Sequence, residues 1–159
     1  MSKHISESNQ IDKWLNNLIK LIKRSKYHTG HLLKQRANRY NNKTVFNLIR
    51  EGQFKSISYS SLCSSVIEVG RALSTFEKEL NKPVSIGLLT HNQLNGVLVD
   101  LACLSFGFRV IPIPLNATPE HISYILEHGE ITNMFIGGKA GVRLWNELQD
   151  TRSIEVVTL

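Results

Sequence analysis

Short apolar runs alternate with longer helical patterns through the second half of the chain, and this alternation constrains the fold most strongly. The apolar runs lie at 84–89, 110–113, 133–136 and 154–157. The stretches between them repeat apolar residues at helical spacing, at 92–104, 118–128 and 140–148. Parallel strands need crossover connections of about a dozen residues, usually helices. The sequence therefore predicts an α/β fold with a small, mostly parallel sheet and helices on both faces.

An antiparallel hairpin is predicted before this region. Residues 45–49 and 54–59 have the composition of strands, and Glu51-Gly52 marks a turn between them. A long helix should follow, ending near residue 80. Each of the next four predicted helices has a candidate cap, a residue near its start whose side chain can accept a hydrogen bond from the helix N-terminus. These predicted caps are Thr29 for a helix at 31–40, then Ser60-Ser61, Asn92, and Thr118 before Pro119.

Residues 1–28 are predicted to form a basic helical extension. Residues 1–9 are polar and expected to be loosely ordered, and an amphipathic helix is expected from Ile11 to Arg24. Residues 1–43 carry ten basic and two acidic side chains, a net charge of +8, whereas the remaining residues carry nine and eleven, a net charge of −2. The apolar face of this helix is expected to pack on the protein body or on a missing part of it. The alternative is contact with an anionic membrane surface.

Composition separates this chain from several other classes of protein. With 42% hydrophobic and 20% charged residues, it resembles a globular domain. The sequence shows no secretory signal and no apolar run of about 20 residues. Cys63 and Cys103 lie within apolar-periodic segments and are expected to be buried and reduced. The expected location is the cytoplasm, with peripheral membrane contact as an addition. Nucleic-acid binding is not expected, because no known reader motif is present.

Two segments have the features of ligand-binding turns. Gly137-Gly138-Lys139 precedes a helix, but its spacing departs from the known phosphate loops, which favours a turn that needs glycine. His91-Asn92 follows a predicted strand, at the edge where α/β proteins bind ligands, although Asn92 is also a good helix cap.

The other polar residues form no pattern specific to catalysis. His28 and His31 are spaced for weak metal binding, but exposed histidines are the simpler interpretation. Glu127 and Glu130 are interpreted as solvated charges. No catalytic or metal-ligating residue is assigned, and cofactor-binding residues remain unknown.

Five sequence blocks, in order, resemble the AMP-forming acyl-CoA synthetases of the adenylate-forming enzyme family. The blocks are 29–49, 57–62, 71–73, 84–92 and 101–113, which residues 115–126 continue. Residues 101–107, Leu-Ala-Cys-Leu-Ser-Phe-Gly, are closest to the long-chain fatty acid members. Arg109 stands where the family usually has a small or apolar residue, and Ser58 replaces a threonine.

The resemblance implies that residues 29–159 are the first subdomain of an AMP-binding domain, truncated before its phosphate loop. That loop, of the form T/S-S-G-T-T-G-x-P-K-G, does not occur in the sequence. The parent enzyme would be a fatty acid–CoA ligase that uses ATP, Mg²⁺ and coenzyme A. The chain alone is expected to be catalytically incomplete, to bind no cofactor, and to contact the missing remainder or itself. The alternative is a stand-alone interaction or membrane-docking module derived from this fold.

Overall fold

The helices and strands of this chain follow the predicted order. The computed structural model describes residues 2–50, 52–148 and 154–159, and for residues 2–10 and Arg50 only the backbone. The helices are α1 (Ser2–Ser25), α2 (Thr29–Tyr40), α3 (Tyr59–Leu80), α4 (Leu94–Phe106), α5 (Pro119–His128) and α6 (Gly138–Asn146). The strands are β1 (Thr44–Arg50), β2 (Gln53–Ser58), β3 (Ser85–Leu89), β4 (Arg109–Pro112), β5 (Asn133–Ile136) and β6 (Glu155–Thr158).

The predicted hairpin and the predicted parallel sheet are both present, and they form two separate sheets. β1 and β2 make the antiparallel hairpin, with Phe46 opposite Ile57. The other four strands are parallel and lie in the order β4-β3-β5-β6. β4 lies at one edge, where Pro112, which has no N–H to donate, pairs with Leu88 without disrupting a central strand.

Helices cover both faces of the parallel sheet. Alternate residues of β3 point to opposite sides, so each face presents apolar side chains that the helices bury. Ile86 and Leu88 belong to a core formed with α2, α3 and α4. Leu89 belongs to a second core, which includes Met134 and residues of α5 and α6. A Cβ atom at Gly87 would overlap the sulfur of Met134, so glycine at this position lets the Met134 side chain pack directly against β3.

Three of the predicted caps are wrong, for one physical reason. A cap residue must have a non-helical backbone, and Thr29, Ser60 and Ser61 already lie inside their helices. His28 caps α2 instead, accepting a hydrogen bond from the Gly30 N–H at 3.2 Å. Ser58, the last residue of β2, caps α3 by accepting from the Ser61 N–H.

The remaining caps are those of α4 and α5. The predicted cap at Asn92 is also wrong, because α4 begins after Gln93, whose side chain makes no capping bond. The cap at Thr118 is confirmed, because its hydroxyl oxygen accepts from the His121 N–H at 3.3 Å.

The first helix is longer than predicted and exposes its apolar side. α1 begins at Ser2, so residues 2–9, expected to be loose, are helical, and they contain no glycine or proline that would end a helix. The apolar side chains of α1 were expected to pack on the protein body or on a missing part of it. They do not pack on the described body. Within the described part of the chain, no helix has both the length and the apolar content needed to cross a membrane.

Candidate functional site

The sheet topology defines a candidate site where β3 and β5 end. The strand that follows β3 in the chain, β4, pairs on one side of β3, whereas β6, which follows β5, pairs on the opposite side of β5. The two connections therefore leave in opposite directions. In open α/β sheets, ligands bind in the crevice at such a reversal, beyond the carboxyl ends of the strands. The turns that form this crevice here are 90–93 and 137–138.

The protein's own side chains fill the crevice between these two turns. The Gln93 amide nitrogen donates a hydrogen bond to Thr90 Oγ1 at 2.8 Å. The Gly137 N–H donates to the Leu89 carbonyl at 2.9 Å, which holds the second turn against the end of β3. A Cβ atom at Gly137 would overlap both Gln93 Nε2 and Thr90 Oγ1. Glycine at 137 therefore allows the backbone to approach the Thr90–Gln93 pair closely.

The neighbouring glycines are also explained by packing. Gly138 has a φ of +75°, in the left-handed region, and a Cβ atom there would lie 2.9 Å from His91 Cδ2. A Cβ atom at Gly141 would lie 2.8 Å from the Leu89 carbonyl oxygen. These contacts account for the glycine-rich stretch without a phosphate. They support its interpretation as a turn that needs glycine.

An open cleft lies beside the filled crevice, between the ends of β3 and β4 and the first turns of α4. Its volume is about 200 Å³, and its lining consists of Leu88, Thr90, His91, Asn92, Gln93, Gly96, Val97, Asp100, Pro112 and Ile113. Typical ligand sites have volumes of about 300–1,000 Å³. The cleft can therefore hold only part of a ligand the size of a nucleotide or a fatty acid.

The charges around this cleft do not suit a phosphate group. Asp100 is half-buried in the wall, and His91 is exposed at the rim. Among the described lining residues there is no lysine or arginine. An ionised carboxylate repels an anion, and phosphate sites use cationic groups or converging backbone N–H groups. The cleft is suited to form one wall of a larger site rather than to hold phosphates by itself.

The two cysteines are buried and free, as expected. Burial raises the pKa of the Cys103 thiol to about 12, and the negative charge of Asp100 contributes to this rise. Burial also raises the pKa of Cys63, although the positive charge of Lys34 opposes the effect. Since the thiolate is the reactive form, neither cysteine is suited to act as a nucleophile near neutral pH.

The histidines whose side chains are described have structural roles or lie at the surface. His28 caps α2, and its ring centroid lies 4.1 Å from that of His31. His31 in turn stacks with Tyr27. His128 stacks on Tyr124 with an interplanar angle of 7°. The described residues include no group of three His, Cys, Asp or Glu side chains that could hold a metal ion. His4 lies outside the described side chains.

Arg109, one departure from the family pattern, takes part in an ion pair. Arg109, at the start of β4, has its guanidinium 3.7 Å from the carboxylate of Glu130. Both side chains are largely exposed, so the pair contributes little to stability. The two residues are far apart in sequence and meet only because β4 and the α5–β5 turn lie at the same end of the sheet. No local sequence signal could have predicted the pair.

The fold and the site together define an α/β subdomain with a small cleft at the edge of the sheet where α/β proteins bind ligands. Residues 33–158 match the sequence model of the family described as AMP-binding enzyme. The chain belongs to this family, and the expected resemblance is confirmed.

Individual relatives agree with this assignment. The chain is 33% identical over 92 residues to fatty acyl-CoA synthetase A of Dictyostelium discoideum, a match that covers 57% of this chain and 13% of that protein. Among solved structures, a fatty acyl CoA synthetase of Mycobacterium tuberculosis superposes with a TM-score of 0.69 at 13% identity, covering 83% of this chain and 26% of the other. A mutant form of coronafacic acid ligase from Pectobacterium brasiliense gives a TM-score of 0.68 at 16% identity, covering 84% and 25%.

The structural likeness is at low sequence identity and shows the fold alone. It confirms the predicted fold, the N-terminal subdomain of adenylate-forming enzymes. The chain spans about an eighth of the length of the curated relative and about a quarter of the length of the two solved ones.

Proposed function

We propose that this chain is the N-terminal part of an ATP-dependent fatty acid–CoA ligase. The family match over residues 33–158 supports the adenylate-forming class. The observation that carries the substrate is the 33% identity to a fatty acyl-CoA synthetase. Because that match covers 13% of the relative, the activity belongs to a longer protein of which this chain would be one part.

The proposed reaction has two steps. A carboxylate oxygen of the fatty acid bonds to the α-phosphorus of ATP, and pyrophosphate leaves with the electron pair of the broken P–O bond. The sulfur of coenzyme A, having lost its proton, then bonds to the acyl carbon, and AMP leaves. Such reactions depend on cationic groups and Mg²⁺ to stabilise the phosphates. The described residues offer no cluster of carboxylates for Mg²⁺, so the remainder of the enzyme would hold the ion and the phosphates.

The proposed role of this chain is to supply a rigid wall near the acyl or nucleotide site. The hydrogen-bonded turn at Thr90 and Gln93 and the close approach of Gly137 fix the edge of the sheet. The cleft beside them is too small for a whole substrate, and a second segment would have to complete it.

A second, apolar groove marks where the remainder would pack. The groove has a volume of about 250 Å³ and lies between α3 and the strands β5 and β6. Its lining includes Val69, Leu73, Phe76, Phe135 and Val157. The two solved relatives are each more than three times as long as this chain, so an additional segment of such an enzyme is available to cover it. In its absence, we expect the same surface to favour self-association.

Two measurements test the proposed function. The transcript should continue in frame beyond the codon for Leu159 and encode a Thr/Ser/Gly-rich phosphate loop. In an ATP–pyrophosphate exchange assay with fatty acids, the chain alone should be inactive, and the extended chain should be active. If the chain alone catalysed exchange, the proposal that it is catalytically incomplete would be wrong.

The other outcomes separate the parts of the proposal. If the extended chain catalysed exchange only with carboxylic acids other than fatty acids, the proposed reaction would stand and the proposed substrate would be wrong. A stop codon directly after Leu159 would overturn the proposal and favour a stand-alone module.

A further inference from the structure

Helix α1 separates apolar and basic side chains onto opposite sides over its last four turns. At 100° per residue, the apolar residues cover an arc of roughly 160°. These residues are Ile11, Trp14, Leu15, Leu18, Ile19, Leu21 and Ile22. The opposite side carries Lys13, Lys20, Lys23 and Arg24, with Asp12 as the one acidic residue between positions 11 and 25. Such a separation is typical of a helix that lies between an apolar and an aqueous phase.

The apolar side of α1 is exposed along its length. The exposed fraction of its large apolar side chains ranges from 37% at Leu18 to 65% at Leu21, and that of Trp14 is 63%. None of these side chains belongs to either hydrophobic core. No other described helix or strand packs extensively against α1. A continuous apolar surface of this kind usually marks an interaction site, whereas single exposed apolar residues do not.

The junction between α1 and α2 is fixed by specific contacts. The Ser25 hydroxyl donates to the Ile22 carbonyl at 2.9 Å, and its oxygen accepts from the Tyr27 N–H at 3.2 Å. Lys26 has a φ of +48°, which ends the helix. The Tyr27 hydroxyl then donates to Gln35 Oε1 at 2.9 Å on α2. α1 is therefore connected to the body through an ordered turn and leaves its apolar side uncovered.

We propose that α1 lies along an anionic membrane surface, with its apolar side in the boundary between headgroups and acyl chains. Residues 11–26 carry five basic and one acidic side chain, a net charge of +4 that is complementary to an anionic surface. Lys23 and Arg24 lie on opposite flanks of the polar side. Their long stems can cover apolar surface while their charges reach lipid phosphates. Trp14 lies near a border of the apolar side, a position that suits the membrane interface.

Two other occupants of this surface fit the observations less well. A second copy of α1, packed through the apolar side, would bring the flanks that carry Lys23 and Arg24 on the two helices closer together. Asp12 is the one carboxylate between positions 11 and 25 that could pair with them. The second alternative is that another part of the family domain covers α1. The family match begins at residue 33, after α1, so it gives this alternative no support. The membrane proposal does not rest on the proposed ligase activity.

Vesicle sedimentation tests the charge requirement. The full chain should bind phosphatidylcholine vesicles that contain phosphatidylserine, bind pure phosphatidylcholine vesicles less, and be released as the salt concentration rises. Each basic residue near an anionic surface strengthens binding about fivefold. Lys20→Glu with Lys23→Glu should therefore weaken binding by about 30-fold or more. Lys20→Arg with Lys23→Arg should retain it.

The matched control makes the same charge change on the body. Lys55 and Lys82 are exposed and lie outside the helices, so Lys55→Glu with Lys82→Glu alters the net charge equally without touching α1. This variant should lose much less binding than Lys20→Glu with Lys23→Glu. Equal loss in the two variants would show a non-specific charge effect and overturn the proposal, as would the absence of binding at low salt.

Tryptophan emission tests the insertion of the apolar side. Trp145 is buried, so a blue shift caused by vesicles should come from Trp14 and disappear in Trp14→Phe. Leu15→Gln with Ile22→Gln keeps good helix formers and should abolish both the shift and the binding. An unchanged Trp14 emission in bound chains would overturn the proposal. The proposal would also be overturned if the chain bound no vesicles and instead formed an oligomer that this double substitution dissociates. A second copy of the chain would then cover the apolar side of α1.

Discussion

The side-chain amide of Gln93 donates a 2.8 Å hydrogen bond to Thr90 Oγ1, across the turn between β3 and α4. The Thr90 hydroxyl also lies 3.2 Å from the His91 carbonyl, to which it donates. Gln93 occupies the cap position of α4 but makes no capping bond, so its side chain stabilises the turn instead. The pair thus fixes the edge of the sheet at which ligands of α/β proteins bind.

Removal of the Thr90 hydroxyl should destabilise the chain. In Thr90→Val, the shape is nearly kept, but the partly buried Gln93 amide loses its acceptor. We expect the free energy of unfolding in urea to fall by about 1–2 kcal/mol. Thr75→Val is the matched control, because the Thr75 hydroxyl donates to a backbone carbonyl on the exposed side of α3. The control should change stability by less than about 0.5 kcal/mol, and similar losses at both positions would contradict the role assigned to Thr90.

A methyl group at Gly137 should also destabilise the chain, for a steric reason. The φ of Gly137 is −127°, which alanine adopts without strain, so the cost of Gly137→Ala comes from overlap with Gln93 and Thr90. Overpacking of this kind costs about 1–3 kcal/mol in the free energy of unfolding. Gln93→Ala removes one of the overlapping groups, so the double variant should lose less stability than the sum of the two single variants. Strict additivity in this cycle would argue against the close approach.

The buried thiol of Cys103 should make stability depend on alkaline pH. Its pKa is raised from an ordinary 9.0 to about 12, so in the range between these values the thiol ionises in the unfolded chain and stays protonated in the folded chain. Ionisation then favours unfolding, and this contribution to stability is lost as the pH rises above 9. Between pH 9 and 10, the wild-type chain should lose about 1 kcal/mol more than Cys103→Ala. Parallel pH profiles for the two chains would contradict this assignment.

Thiol labelling provides an independent check on the same residue. With a pKa of about 12, about one Cys103 side chain in 10,000 is ionised at pH 8. The folded chain should therefore react slowly with a thiol reagent at this position, and labelling should be complete after denaturation. Fast labelling of Cys103 in the folded chain would show that the thiol is accessible.

The sequence predicted features that depend on local chemistry. The parallel sheet followed from apolar runs such as 84–89 and 133–136, because residues buried on both faces of a sheet leave a continuous apolar pattern. The cap at Thr118 followed from the proline after it. The caps at His28 and Ser58 were missed, because they depend on where the preceding turn or strand leaves the extended conformation.

The site was predicted only in part, because its contacts join distant segments. The sequence placed His91 and the Gly137-Gly138 turn at the ends of strands. It could not show that the two turns face each other, nor that Gln93 occupies the space between them. The pairing of β3 with β5 creates that arrangement, and strand order is not encoded in any short window of the chain.

The outer edge of β6 should cause self-association. β6 is the last strand of the described sheet, and its backbone bonds from Glu155 and Leu159 point inward to β5. Val157 is 40% exposed there and lines the apolar groove. An unpaired edge beside apolar surface can pair with another chain. Sedimentation velocity should therefore show species whose size increases with concentration.

A charge at this edge should reverse that behaviour. Lysine on an edge strand opposes pairing between chains, so Val157→Lys should shift the chain toward the monomer. Val142→Lys is the matched control, because Val142 is 39% exposed, lies on α6 rather than on a strand, and does not line the groove. The control should associate like the wild-type chain. A wild-type chain that stays monomeric across a wide concentration range would contradict the prediction, and equal effects of the two lysines would show that added charge, rather than the edge, controls association.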